Sequence, residues 1–221
     1  MTGYAPNDLM SQGKTVITAH SGCEGTPDNS IEHIEAAIAS GAEMIEVDVR
    51  QATDGSLYLS HDVPENIDMR PLLKDLFEQV AKTENMGMNL DVKTKGLIVP
   101  VMELARKYKL SKRIVFTGAC NSDRALANSL GAEMWRSAWP GDSITEGIKA
   151  IMADGSPYLN VHFGMITAED DRALKEAGRG FSAWTVNDEA GIRRFLEMGI
   201  SNITTRMPVL ALKLRKEIQG V

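Results

Sequence analysis

The stretch that decides the fold is Ala42-Glu43-Met44-Ile45-Glu46-Val47-Asp48-Val49-Arg50-Gln51-Ala52-Thr53-Asp54-Gly55-Ser56-Leu57-Tyr58-Leu59-Ser60-His61-Asp62. It opens as an alternating run. Side chains of a strand alternate between faces, so Ile45, Val47 and Val49 share one face and Glu46 and Asp48 share the other. The turn Thr53-Asp54-Gly55 leads into a second β-rich run, Leu57–Ser60, and Asp-Gly between two such runs signals a hairpin. Folding about Asp54–Gly55 puts Asp48 roughly opposite His61. Two carboxylates and an imidazole then converge. Adjacent unpaired carboxylates are costly to bury, and a hard, oxygen-loving cation such as Mg²⁺ or Ca²⁺ removes that cost. The other reading of this stretch is an edge strand whose Glu46/Asp48 face is simply solvated.

Working outward, strand and helix patterns alternate. A β-rich run, Thr15–His20, precedes a loop with two glycines and a proline. A helix follows over Ser30–Ser40, with Ile31, Ile34 and Ile38 on one face and Gly41 as its stop. After the hairpin come a helix over Arg70–Thr83, a strand over Met86–Val92, a helix over Ile98–Lys107 and a strand over Arg113–Thr117. Next are a helix over Ser122–Leu130, a strand over Glu133–Ala138, a helix over Ser143–Ala153 and a strand over Tyr158–Val161. Then follow a helix over Ala168–Ala177, a strand over Gly180–Val186 and a helix over Asp188–Met198. That helix has Asp188 as N-cap and Gly199 as stop. Ile200–Thr204 is the last strand, and a helix from Pro208 to Ile218 closes the chain. Eight strands can lie parallel. Leu57–Ser60 cannot, because its turn is too short for a crossover. Eight strand–helix units spell an α/β fold, a (β/α)₈ TIM barrel with an extra antiparallel hairpin strand after strand two. The competing doubly wound sheet lacks a Gly-rich phosphate loop to favour it. With no linker or low-complexity break, residues 1–221 read as one domain.

Composition narrows the function. The 221 residues are 43% hydrophobic, enough for one sizeable core, and carry a formal net charge of -6. That balance argues against nucleic-acid binding by general electrostatics. The two cysteines, Cys23 and Cys120, are in no metal-ligand spacing. Residues 1–14 are polar and irregular, and no stretch approaches a membrane span, so the expected location is the cytoplasm, without stable membrane insertion. Nothing in the sequence fixes an oligomeric state.

The barrel reading implies an active site at the C-terminal strand ends. There stand His20 after strand one, Glu46 and Asp48 late in strand two, and Asp91 and Lys93 ending the third parallel strand. His162 ends the sixth, Trp184 and Asn187 end the seventh, and Arg206 follows the eighth. These polar rim residues contrast with strand interiors read as apolar. His33 reads as a surface residue on its helix, Asp62 as a residue orienting a neighbour, and the 12 methionines as core filler.

These residues fall into an ordered set of motifs: His20-Ser21-Gly22, Pro27-Asp28-Asn29-Ser30, Glu46-Val47-Asp48-Val49, Thr53-Asp54-Gly55, His61-Asp62, Asp91-Val92-Lys93, Trp184-Thr185-Val186-Asn187 and Thr205-Arg206-Met207-Pro208. In that order the chain resembles the glycerophosphodiester phosphodiesterase family, among the phosphatidylinositol-phospholipase-like barrels. The resemblance implies metal-dependent hydrolysis of a small phosphodiester and a place in lipid metabolism. It implies a divalent cation, Mg²⁺ or Ca²⁺, on Glu46, Asp48 and Asp91. His20 and His61 would be the general acid/base pair, and Lys93 would neutralise phosphate charge. Trp184 would pack against the substrate. The attacking hydroxyl would be the substrate's own neighbour, giving a cyclic phosphate that water opens. Ser21, Arg206 and His162 join the substrate-binding candidates.

Several departures stand out. Ser21 replaces the family's arginine, Asp28 and Asp91 replace glutamates, and Arg206 replaces an aspartate. Arg206 is expected to take over part of the role lost at position 21. The segment after His61-Asp62 is short where relatives carry an insertion, which implies a more open pocket and an alcohol that need not be glycerol. Two other functions compete. One is a non-catalytic or altered-substrate barrel that binds phosphate esters. The other is a Mg-dependent barrel lyase or isomerase with Lys93 as a Schiff-base or proton-transfer residue.

Overall fold

The structure, a computed structural model, describes residues 6–10 and 12–221. Its elements run α1 (Pro6–Met10), β1 (Val16–Ala19), α2 (Ile31–Ser40), β2 (Met44–Gln51), β3 (Leu57–Leu59), α3 (Leu73–Val80), β4 (Gly87–Val92), α4 (Ile98–Lys107) and β5 (Ile114–Gly118). They continue with α5 (Arg124–Ser129), β6 (Glu133–Met134), β7 (Arg136–Ala138), α6 (Ile144–Asp154), β8 (Tyr158–His162), α7 (Ala168–Glu176), β9 (Gly180–Trp184), α8 (Glu189–Met198), β10 (Asn202–Thr205) and α9 (Pro208–Gln219). The parallel strands follow the order β6-β5-β4-β2-β1-β10-β9-β8-β7, and β3 hangs on β2 alone. β6 and β7 flank Trp135, whose backbone N–H donates to Phe116 O at 3.0 Å. They are two pieces of one barrel position, so the sheet is a nearly closed (β/α)₈ barrel with the antiparallel β3 outside it.

The expected strand Glu133–Ala138 is thus split, and the expected helix Arg70–Thr83 is shortened to Leu73–Val80. Pro71 keeps Arg70 extended (φ -103°, ψ 139°), and the Asp75 carboxylate accepts from Leu72 N at 2.8 Å to start the helix only there. Part of the stretch read as irregular, residues 1–14, is the short helix α1; residues 1–5 and 11 lie outside the described residues. Both solvated-face and edge readings of strand two fail: β2 lies between β1 and β4, and Met44 through Val49 are all buried.

Alternation along the strands sorts the side chains into two environments. Ile45, Val47, Val49, Met88, Leu90 and Val92 face outward and pack with α2, α3 and α4 residues such as Ile34, Phe77 and Met102. On the other side of the barrel, Leu159, Val161, Phe181, Ala183 and Ile203 pack with Ile151, Leu174, Phe195 and Leu214. The opposite parity points into the barrel. At its base Val16, Met44, Val115 and Trp135 join Leu9 and Met10 of α1 in a small apolar cluster. Above the base the lining is polar, contrary to the apolar interior expected. Each group is satisfied within the layer: Thr18 Oγ1 to Asn202 Oδ1 at 2.7 Å, Thr117 Oγ1 to Asn89 Oδ1 at 2.8 Å, Ser182 Oγ to Asn160 Oδ1 at 2.8 Å. Buried polar groups are tolerated when so paired. Among the described residues no helix is long and apolar enough to cross a membrane.

Trp135 is fully buried and serves as both base plug and ring closure. Trp135→Ala is expected to lower the unfolding free energy by about 3–5 kcal/mol, read from a denaturant titration.

Candidate active site

The C-terminal mouth of the barrel holds a pocket of about 340 Å³, lined by His20, Glu46, Asp48, His61, Asp91, Lys93, Trp139, Trp184 and Arg206, with Asn89, Thr117, Ser137, Asn160 and Thr204 among the residues lining it as well. Ladder register makes the acidic cluster. Asp48 lies beside Asp91 in the parallel β2–β4 pairing, and Glu46 is two residues earlier on the same face. One oxygen from each of Glu46, Asp48 and Asp91 lies within 4.8 Å of the others.

The loop after β1 holds this cluster from one side. Ser21 N donates to Glu46 Oε2 at 3.1 Å. Asn29 reads Asp48 twice: its Nδ2 donates to Asp48 Oδ2 at 2.7 Å and its Oδ1 accepts from Asp48 N at 2.9 Å. Asn29 does so from a left-handed backbone (φ 54°), a conformation asparagine tolerates better than most residues. Its position in Pro27-Asp28-Asn29-Ser30 was the only trace of this role in the sequence.

On the other side Lys93 reaches 2.7 Å from both Asp48 Oδ1 and Asp91 Oδ2. Burial opposes its charge, but the carboxylates of Asp91 and Asp48 more than offset this and hold the ammonium above its ordinary pKa. The Glu46 carboxyl is pushed well above its usual range by burial, and then by Asp48 and Asp91. Burial likewise raises Asp91, against the pull of Lys93.

Those shifts describe a cluster with more negative charge than its one lysine neutralises. Asp91 Oδ1 is buried with no hydrogen-bond partner. A Cβ at Gly118 (φ +87°) would overlap that same oxygen, so the glycine leaves room for it. Were all three carboxyls ionised, one ammonium would leave two of their charges uncompensated. An all-oxygen donor set with that balance fits a hard divalent cation.

His20 stands where β1 ends, its N–H bonded to Thr205 O at 2.8 Å. Its Nδ1 lies 2.7 Å from Ser21 O, which requires a proton on Nδ1 and leaves Nε2 as the free acceptor. Nε2 is 3.8 Å from Glu46 Oε2. Burial lowers the His20 pKa, and the Arg206 guanidinium adds to this.

His61 is differently placed from the expectation. The ladder pairs Val49 with Leu59, and Ser60 N donates to Asp48 O at 3.1 Å, so Ser60 lies opposite Asp48 and His61 one residue beyond. The His61 side chain is 67% exposed at the pocket rim, with Nδ1 3.0 Å from Asp62 Oδ1. Arg50 fixes its backbone, donating from Nε (3.0 Å) and Nη2 (2.7 Å) to His61 O.

Of the remaining candidates, Trp184 and Arg206 line the pocket and Ser21 does not: Ser21 is 1% exposed and its Oγ accepts from Asn29 N at 2.8 Å. His162 sits behind Trp184, ring centroids 5.6 Å apart, with Nδ1 accepting from Gly164 N at 3.2 Å. His33 is not a surface residue. It is fully buried, its Nε2 3.1 Å from Glu46 O, and burial lowers its pKa to about 4. The sequence did not single out the lining residues Trp139, Asn89 and Thr117, which carry no motif of their own.

A barrel with a carboxylate cluster, a lysine and two histidines at its C-terminal mouth carries the groups that phosphoric diester hydrolysis uses. The model of the "Glycerophosphoryl diester phosphodiesterase family" matches residues 20–84. A "Glycerophosphodiester phosphodiesterase" of Bacillus altitudinis is 26% identical over 245 residues, covering 93% of this chain and 100% of that one. A putative glycerophosphoryl diester phosphodiesterase of Agrobacterium tumefaciens superposes with a TM-score of 0.83 at 18% identity, covering 94% of this chain and 100% of that one. A phosphodiesterase of Oleispira antarctica, solved in complex with the product sn-glycerol-3-phosphate, superposes with a TM-score of 0.74 at 18% identity, covering 93% and 98%. These matches support the glycerophosphodiester phosphodiesterase family for this chain.

Titrating Mg²⁺ or Ca²⁺ into the metal-free protein is expected to raise its thermal midpoint. Saturation to about 100 times the dissociation constant adds roughly 2.7 kcal/mol of stability. Asp48→Asn should abolish most of that gain, as measured by calorimetry with and without chelator.

Proposed function

We propose that this chain hydrolyses a small, glycerophosphodiester-like substrate to an alcohol and a phosphomonoester, with a divalent cation, Mg²⁺ or Ca²⁺, held by Glu46, Asp48 and Asp91. The observation that carries this reading is the carboxylate cluster beside a histidine whose unprotonated Nε2 lies at the same pocket. When bound, the cation supplies Lewis-acid stabilisation of the non-bridging phosphate oxygens.

The chain's own residues divide the remaining work. His20 Nε2 takes the proton of the attacking hydroxyl, the substrate's own neighbouring group. The fixed Nδ1–H···O bond to Ser21 keeps the ring in the tautomer that leaves Nε2 free. His61, solvent-reachable and beside Asp62, donates a proton to the departing alkoxide. In the second step the roles reverse, and water opens the cyclic phosphate. Lys93, pinned between two carboxylates, presents a fixed positive charge to the phosphate. Trp184 packs against the substrate's carbon skeleton. The product bound to the Oleispira antarctica enzyme, sn-glycerol-3-phosphate, is consistent with a glycerol-bearing substrate of this size.

A Schiff-base role for Lys93 fits poorly, because that chemistry needs a neutral amine and Lys93 is held protonated. The whole chain is read as one barrel unit.

Glycerophosphoethanolamine, which carries the neighbouring hydroxyl, is expected to be turned over in a chelator-sensitive reaction. His20→Ala should cut kcat by about 10²–10⁴-fold. Bis(p-nitrophenyl) phosphate lacks that hydroxyl and should react far more slowly. Equal rates on the two diesters would contradict the substrate-assisted step. No turnover in wild type with either cation would contradict the hydrolase reading.

A further inference from the structure

We propose that Arg206 is the residue through which this chain grips the phosphate of its substrate, and that Asp28 is the positioning residue that holds the guanidinium at the mouth. This rests on the phosphodiesterase reading above. A phosphodiester needs more donors than Lys93 alone offers, since two of that ammonium's directions are already committed to Asp48 and Asp91. Position 21 supplies none: Ser21 is buried, with its N–H on Glu46 and its Oγ under Asn29.

Arg206 stands across the same corner of the barrel. Its backbone is fixed from two loops, N–H to Asn187 Oδ1 at 2.8 Å and O accepting from Glu24 N at 2.8 Å. Its side chain remains 43% exposed and lines the pocket. Both contacts to Asp28 fall on Nη2, at 2.9 Å from Oδ1 and 3.0 Å from Oδ2. Among the described residues Nη1 has no partner. Nε lies 3.4 Å from His20 Nδ1, a nitrogen that already donates its own proton to Ser21 O, so the two N–H groups oppose each other there. Nη1, with its two N–H donors, is thus free for an oxyanion seated at the mouth beside His20, and the guanidinium plane is already fixed by Asp28 on Nη2.

Asp28 is built into its place. Gly22 has φ +78°, and a Cβ there would overlap Asp28 Oδ1, so the loop after β1 is shaped to admit that carboxylate. An exposed ion pair by itself adds little to stability. The pair's value therefore lies in where it puts the guanidinium.

The test uses the full chain with Mg²⁺, and Arg206→Ala, Arg206→Lys and Asp28→Asn variants. The binding probe is sn-glycerol-3-phosphate, followed by calorimetry, beside turnover of glycerophosphoethanolamine. Arg206→Ala should weaken probe binding and raise KM about 10- to 100-fold, with thermal midpoint nearly unchanged. Arg206→Lys should recover part of both. Asp28→Asn should raise KM by a smaller factor with kcat little altered. Unchanged probe affinity and KM in Arg206→Ala overturns the proposal, as does a loss of stability in Arg206→Ala and Asp28→Asn without loss of affinity. If wild type binds the probe through Arg206 yet turns over no diester, the hydrolase reading fails and the arginine assignment stands. If wild type neither binds nor turns over, both fail.

Discussion

The structure depends on one electrostatic constraint, the meeting of Asp48, Asp91 and Glu46 at the barrel mouth. Parallel register places Asp48 beside Asp91, and strand alternation places Glu46 on the same face. Carboxylates so close in a buried setting repel one another and resist ionisation. Much of the surrounding structure answers that repulsion. Lys93 bridges Asp48 and Asp91, Asn29 donates to Asp48, Ser21 donates to Glu46, and Gly118 leaves room for the oxygen of Asp91 that has no partner. A divalent cation would complete what one ammonium leaves unbalanced.

The same constraint explains why the barrel interior is layered. Its base is apolar and sealed by α1 and Trp135, so the polar cavity has a floor. Above it asparagines, threonines and serines bond to each other across neighbouring strands, which lets polar groups stay buried without charge. The charged layer sits only at the mouth, where solvent and substrate can reach it. Local field strength and access are both set by this depth order.

Much of the fold was legible from the chain. The helix Ile98–Lys107 and the cap pair Asp188/Gly199 are legible at their actual bounds, because apolar period and capping chemistry act locally. Boundaries fail where a competing local signal or a longer-range partner intervenes. Pro71 and Asp75 delayed α3, and the strand at Glu133–Ala138 broke at Trp135 because that indole plugs the base. Among the candidate site residues, Glu46, Asp48, Asp91, Lys93 and His20 are legible from strand-end position and motif, and the structure brings them to one pocket. The burial of His33 is not legible, because helix periodicity cannot show that its ring meets the Glu46 carbonyl.

The sequence by itself determined the alternation of elements, the parallel count, and the identity of the acidic and imidazole groups at the strand ends. Those follow from side-chain period, turn chemistry and chain order, which are properties of neighbours in sequence. Only the tertiary structure decided that Ser60 rather than His61 opposes Asp48, that Ser21 is buried support and not a pocket wall, and that Arg206 stands beside His20 in the hold of Asp28. Register, burial and ion pairing across strands depend on residues far apart in the chain, and no local pattern encodes which of them will meet.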